Sequence, residues 1–108
     1  MNIIINTSNL YVGGGVQVAL SFINELNNIN AKNNYHIFIS KTIKDQIDQH
    51  IFSNKFKFYF IPKSPSHLVE RLKTVKFLSS LEREIIPDVV FTVFGPSYWK
   101  PKAPHIMG

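Results

Sequence analysis

Apolar residues along the chain recur with two different periods, and the two periods alternate in blocks. Ile3, Ile4 and Ile5 between Asn2 and Asn6 form a short unbroken apolar run. Such a run predicts a strand at residues 2–6 buried on both faces. Over residues 16–29 the period lengthens. Val16, Ala19, Leu20, Ile23 and Leu26 keep helical spacing, and Val18, Phe22 and Ile29 broaden the stripe, so a well-buried helix is expected. Residues 35–40 (Tyr-His-Ile-Phe-Ile-Ser) read as a second strand from their aromatic and β-branched content. Ile43, Ile47 and Ile51 then recur every fourth residue and predict a short helix, with Thr42 as its N-cap. Phe56, Phe58 and Phe60 alternate with Lys57 and Tyr59, which places a third strand at 55–61, closed by Pro62 and Pro65. Ser66 is placed to cap a longer helix reaching about Ile86, with Leu68, Leu72, Val75, Leu78, Leu81 and Ile85 as its buried stripe and Pro87 as its stop. Residues 88–93 form a fourth apolar strand, and a loop at 94–104 containing Gly95-Pro96 leads into His105-Ile106-Met107.

Strands alternating with helices predict an α/β domain built on a doubly wound parallel sheet. Right-handed crossovers put the first strand in the middle, with strand order 3-2-1-4. Residues 105–107 open a fifth strand just before the sequence given stops, so residues 1–108 are expected to be one incomplete domain of a longer protein. On that expectation the apolar fourth strand keeps an unpaired edge, and the isolated chain associates into a homo-oligomer.

Composition narrows the class. With 44% hydrophobic and 18% charged residues the chain suits a soluble globular protein. Its apolar runs are far shorter than the roughly 20 residues of a membrane span. It has no cysteine, so neither a disulfide nor a thiolate metal site is available. No basic segment followed by an apolar stretch opens it, and a cytoplasmic location is expected. The abundance of Ile, Asn and Lys suits an AT-rich, bacterial genome. Twelve Lys and Arg against seven acids give a net charge of +5, which favours anionic partners. The basic residues are dispersed along the chain, so nucleic acid is not the expected partner.

Gly13-Gly14-Gly15 falls between the first strand and the first helix. In a parallel α/β sheet that loop lies beyond the C-terminal strand ends, where ligands bind. The unpaired N–H groups and positive dipole of a helix start suit a phosphate, and glycine lets the ligand approach the backbone. Gly13, Gly14 and Gly15 are therefore candidate phosphate-binding residues. No lysine follows them in P-loop fashion. A dinucleotide fingerprint can start at Gly13 and Gly15, but Val18 takes its third position, and Ser40-Lys41 stand where an acid for the ribose belongs. Lys41 leaves room for an NADP enzyme or another phosphate-binding module of Rossmann-like type. Ser97, Tyr98 and Trp99 follow the fourth strand at the same end, where aromatic faces suit a sugar or lipid acceptor or cover the sheet edge. His36, His50 and His67 read as ordinary surface or strand histidines, and His105 opens a strand at the end away from the crevice. The histidines lack metal-ligand spacing.

Two stretches, NIIINTSNLYVGGGVQVALSFINEL and PDVVFTVFGPSYWKP, resemble the N-terminal domain of GT-B glycosyltransferases of family 4. The resemblance implies a Rossmann-like acceptor-side domain that is incomplete at its C-terminal end. It also implies an enzyme transferring a sugar from a nucleotide diphosphate sugar to a sugar or lipid-linked acceptor in polysaccharide or glycolipid synthesis. On this resemblance Gly13, Gly14 and Gly15 face the donor phosphates. Ser97, Tyr98 and Trp99 are acceptor-side candidates, no metal or other cofactor is needed, and the enzyme is cytoplasmic or peripheral at the inner face of the membrane. The Glu-x7-Glu element and the basic donor-phosphate residues of that family belong to a C-terminal domain, so the 108 residues alone are expected to be inactive.

Overall fold

The computed structural model describes residues 1–11, 13–29, 32–62, 68–93 and 99–107, with the backbone alone at 68–71 and 107. Five strands form one all-parallel sheet: β1 (Asn2–Thr7), β2 (Asn34–Ile39), β3 (Phe56–Phe60), β4 (Val89–Thr92) and β5 (His105–Met107), in the order β3-β2-β1-β4-β5. Among the described residues three α-helices lie between the strands: α1 (Gly14–Asn28), α2 (Lys41–Gln46) and α3 (Leu68–Ile85). The architecture is α/β and Rossmann-like in character.

The central strand is apolar on both sides because a core presses on each face. Ile5 of β1, Ile37 and Ile39 of β2 and Val93 pack with Val16, Ala19, Ile23 and Leu26 of α1 and Ile43 of α2. Ile4, Phe38 and Val90 project the other way and pack with Leu78 of α3, Ile61 and Trp99. Register places Ile4 beside both His36 and Val90, so neighbouring strands add to the same two faces.

Several expectations need correction. Val18 and Ile29 are exposed and Phe22 is half-buried, so α1 buries a narrower stripe than its composition suggests. Ser40, not Thr42, caps α2: its Oγ accepts the N–H of Ile43 at 3.3 Å. That helix ends at Gln46, and Ile51 lies in a separate 3-10 turn (Gln49–Ile51) with its side chain exposed. Leu72 is 54% exposed and does not belong to the buried stripe of α3. Ser66 lies outside the described residues. β4 is not left with an open edge: Val90, Phe91 and Thr92 pair with His105, Ile106 and Met107.

A buried carboxylate helps to place that fifth strand. Glu82 of α3 accepts the N–H of Lys102 (2.9 and 3.2 Å, one to each oxygen) and of Ala103 (2.9 Å). The loop thus held continues into β5, and Pro104 accepts the N–H of Val90 at 2.8 Å. Beyond α3, Ile86 has φ 53, a left-handed conformation that β-branched residues rarely adopt. Among the described residues no helix is long and apolar enough to cross a membrane.

Candidate functional site

Where β1, β2 and β4 end, the sheet changes character from apolar to polar. Asn6, Thr7, Ser8, Ser40 and Thr92 are all buried there. Buried polar groups need partners, and most of these are bonded within the loop that follows β1. Asn6 Oδ1 accepts the N–H (3.1 Å) and the hydroxyl (2.6 Å) of Ser8. Thr7 donates its hydroxyl to the carbonyl of Phe38 at 2.7 Å, and the carbonyl of Thr7 accepts the N–H of Leu10 at 3.2 Å. Ser40 donates its hydroxyl to the carbonyl of Leu10. The loop is therefore anchored to two strands, and Leu10 is sunk into the core.

That anchored loop delivers the glycines. Gly13 is the N-cap of α1, with φ 87 and ψ −167, a region open essentially to glycine alone. Gly14 and Gly15 open the helix. Among the described residues no side chain caps this helix start, and its first turn holds no acidic residue. Gly13 and Gly14 are exposed, and a Cβ on either would meet nothing within 4 Å. An exposed helix start, a positive dipole end with no acidic residue in its first turn and open space in front of the backbone together suit an anion. The glycines lie at the C-terminal end of β1, and strand order reverses between β1 and β4.

The acceptor-side candidates divide. Ser97 and Tyr98 lie outside the described residues. Trp99 is 1% exposed and belongs to the core on the α3 face, its ring centroid 5.8 Å from that of Phe38 and 6.5 Å from that of His105. In this arrangement its faces are occupied by protein. His105, at the start of β5, reaches further than its position suggests. Its Nε2 is hydrogen-bonded to the hydroxyl of Thr92 at 2.7 Å, and Thr92 stands beside Asn6 in the register.

One polar arrangement was not singled out from sequence. His36 is buried, and its Nδ1 is hydrogen-bonded to the Tyr59 hydroxyl at 2.8 Å. The pair borders a depression of about 440 Å3 that Asn34, Lys57 and Glu84 also line, at the end of the sheet opposite the glycines. Burial, aided by the charge of Lys57, lowers the His36 pKa from 6.5. Burial, aided by Glu84, raises that of Tyr59 from 10.0. The signal available in the sequence was the strand period, which puts position 36 of β2 and position 59 of β3 on one face. Among the described residues no group of three or more His, Asp or Glu is placed to hold a metal ion. Comparison with protein-family models, curated proteins and solved structures finds no match to this chain.

Proposed function

We propose that this chain is the acceptor-side, doubly wound N-terminal part of a GT-B glycosyltransferase. On this reading Gly13, Gly14 and Gly15 receive the diphosphate of a nucleotide sugar at the start of α1. The observation that carries the reading is the uncapped, acid-free helix start that an anchored glycine loop presents at the C-terminal end of the central strand. Pyrophosphate oxygens accept N–H groups, and the dipole of α1 favours their charge. The glycines supply binding and orientation of the leaving nucleoside diphosphate. The base that activates the acceptor is assigned to no residue here.

The test is Gly14→Val in the intact enzyme. A Cβ there meets nothing within 4 Å, so the melting temperature should change little. Turnover should fall by at least about a hundredfold, because the valine stands where the diphosphate approaches and misplacement of a reacting group is that costly. Equal loss of folding and activity would assign the glycines to the turn alone. The 108 residues by themselves should release no sugar from a nucleotide sugar above a boiled control, and release by them would overturn the proposal.

A further inference from the structure

The depression at the end of the sheet opposite the glycines has walls of opposite charge. Register sets its floor. Asn2 and Asn34 are partners, His36 and Lys57 are partners, and Tyr59 follows two residues on. Side chains of register partners leave a sheet on one side, here the side that α3 covers. The last turn of α3 forms the facing wall with Glu84 and Ile85. Asn2 donates its Nδ2–H to the carbonyl of Ile85 at 3.3 Å, which fixes that turn against the start of β1. The space between the walls is about 440 Å3.

Lys55 and Lys57 line the β3 side, and Glu84 lines the α3 side. Besides burial, Lys57 lowers the pKa of His36 and Glu84 raises that of Tyr59, so each charge faces the hydrogen-bonded pair. Among the described residues Lys57 and Glu84 nevertheless form no ion pair with each other. Glu84 is exposed in the last turn of α3, where the helix already ends negative, so this acid adds to the local field. Arg83, the basic residue of that turn, lines a different depression. An acid placed against its own helix dipole suits a cation from outside. A bare cation would be repelled by the lysines, and a bare anion by Glu84 and the helix end. Opposite charges held apart across one depression suit a ligand that carries both.

We propose that this depression binds a free α-amino acid as its zwitterion. The ligand carboxylate accepts from the Lys57 ammonium and the Asn34 amide, and the ligand ammonium donates to the Glu84 carboxylate. The amides of Asn2 and Asn54, which also line the space, both donate and accept and so suit a polar side chain. His36 is uncharged at neutral pH, so the floor adds no charge that would compete with the ligand ammonium. A bound zwitterion joins α3 to β2 and β3 and stabilises the folded chain. This proposal concerns the end of the sheet away from the glycines, so it and the sugar-transfer reading can fail separately.

The experiment is titration calorimetry of the chain with L-glutamine, whose side chain is an amide, and with its two charge halves. Glutaramate keeps the carboxylate without the ammonium, and γ-aminobutyramide keeps the ammonium without the carboxylate. L-Glutamine should bind, and each half should bind at least about tenfold more weakly, the factor for one lost charge-assisted hydrogen bond. Lys57→Gln and Glu84→Gln should each lower the affinity for L-glutamine about tenfold. Both side chains are exposed, so the melting temperature without ligand should change little, which separates binding from folding. Lys100→Gln, outside the depression, should leave the affinity unchanged. No binding of L-glutamine would overturn the proposal, as would equally tight binding of either half or of inorganic phosphate. Full affinity in both Lys57→Gln and Glu84→Gln would overturn it too, because the ligand would then sit elsewhere.

Discussion

A Cβ placed on Gly13 would meet no atom within 4 Å, and neither would one placed on Gly14, yet the two positions differ in backbone. Gly13 has φ 87 with ψ −167, whereas Gly14 is the first residue of α1. Gly13→Ala should therefore cost about 1–3 kcal/mol of strain. Gly14→Ala should be neutral or stabilising by up to about 1 kcal/mol, since alanine loses less entropy in a helix. Denaturant titration of the two variants gives the comparison, and equal effects would contradict the backbone assignment. Ile86 is the opposite case, a side chain on a conformation better suited to none. Ile86→Asn should gain about 1 kcal/mol. His36 carries a pH dependence whose direction is fixed. Its pKa in the folded chain is below 6.5, so the unfolded chain takes up the proton first. Its contribution to stability is complete above pH 6.5 and is lost as pH falls from there through the folded pKa. Melting curves across that window should show the decline in the parent chain and a smaller one in His36→Gln, and identical slopes would remove the burial argument.

At the scale of elements, strands were more legible than helix surfaces. Alternation of Phe56, Phe58 and Phe60 and the unbroken Ile3-Ile4-Ile5 run identify β3 and β1 because side chains on a strand have only two directions. Leu72 shows why a helix is harder. Six residues at about 100° each put it about 120° around α3 from Leu78, beyond the width that the sheet covers. A list of apolar positions contains no such width. The cap of α2 was displaced for a similar reason. Ser40 and Thr42 are both accepted cap types, and what fixes the choice is the bond from Ser40 to Leu10, thirty residues away in the chain. Ser40→Ala should accordingly cost about 1–2 kcal/mol, losing a cap and leaving a buried carbonyl unpaired, whereas Thr42→Ala should cost less than about 0.5 kcal/mol. A denaturant midpoint that moved more for Thr42→Ala would restore the cap expected from sequence. The glycine loop was legible because it is local, and the grouping of buried Asn6 and Thr92 with half-buried His105 was not, because long-range pairing brings them together.

The molecule as a whole is organised by a sheet whose central strand has partners on both sides. β1 pairs over six residues with β2 and over four with β4, whereas β5 pairs over three with β4 alone. Amide hydrogen exchange should rank accordingly, slowest in β1, β2 and the inner bonds of β4, and fastest among strands in β5. Faster exchange in β1 than in β5 would be incompatible with this topology. The order 3-2-1-4 follows from the alternation of elements and the handedness of crossovers. The fifth strand closes against β4 because the Glu82 carboxylate holds its approach, a contact between residues twenty apart with no local pattern to announce it.

All five strands run the same way, so the molecule has a head and a tail. The glycines stand beyond the strand ends, and Arg83, Ile86, Lys100 and Lys102 gather where β4 and β5 begin. A six-residue strand alone separates such ends by about 20 Å. Changes at one end should therefore be invisible to the other. Free-energy effects of Gly13→Ala and Ile86→Asn should sum in the double variant to within about 0.5 kcal/mol. For an engineer the sheet is then a spacer between two independently adjustable terminals, and grafting a new loop onto either one leaves the other working as before.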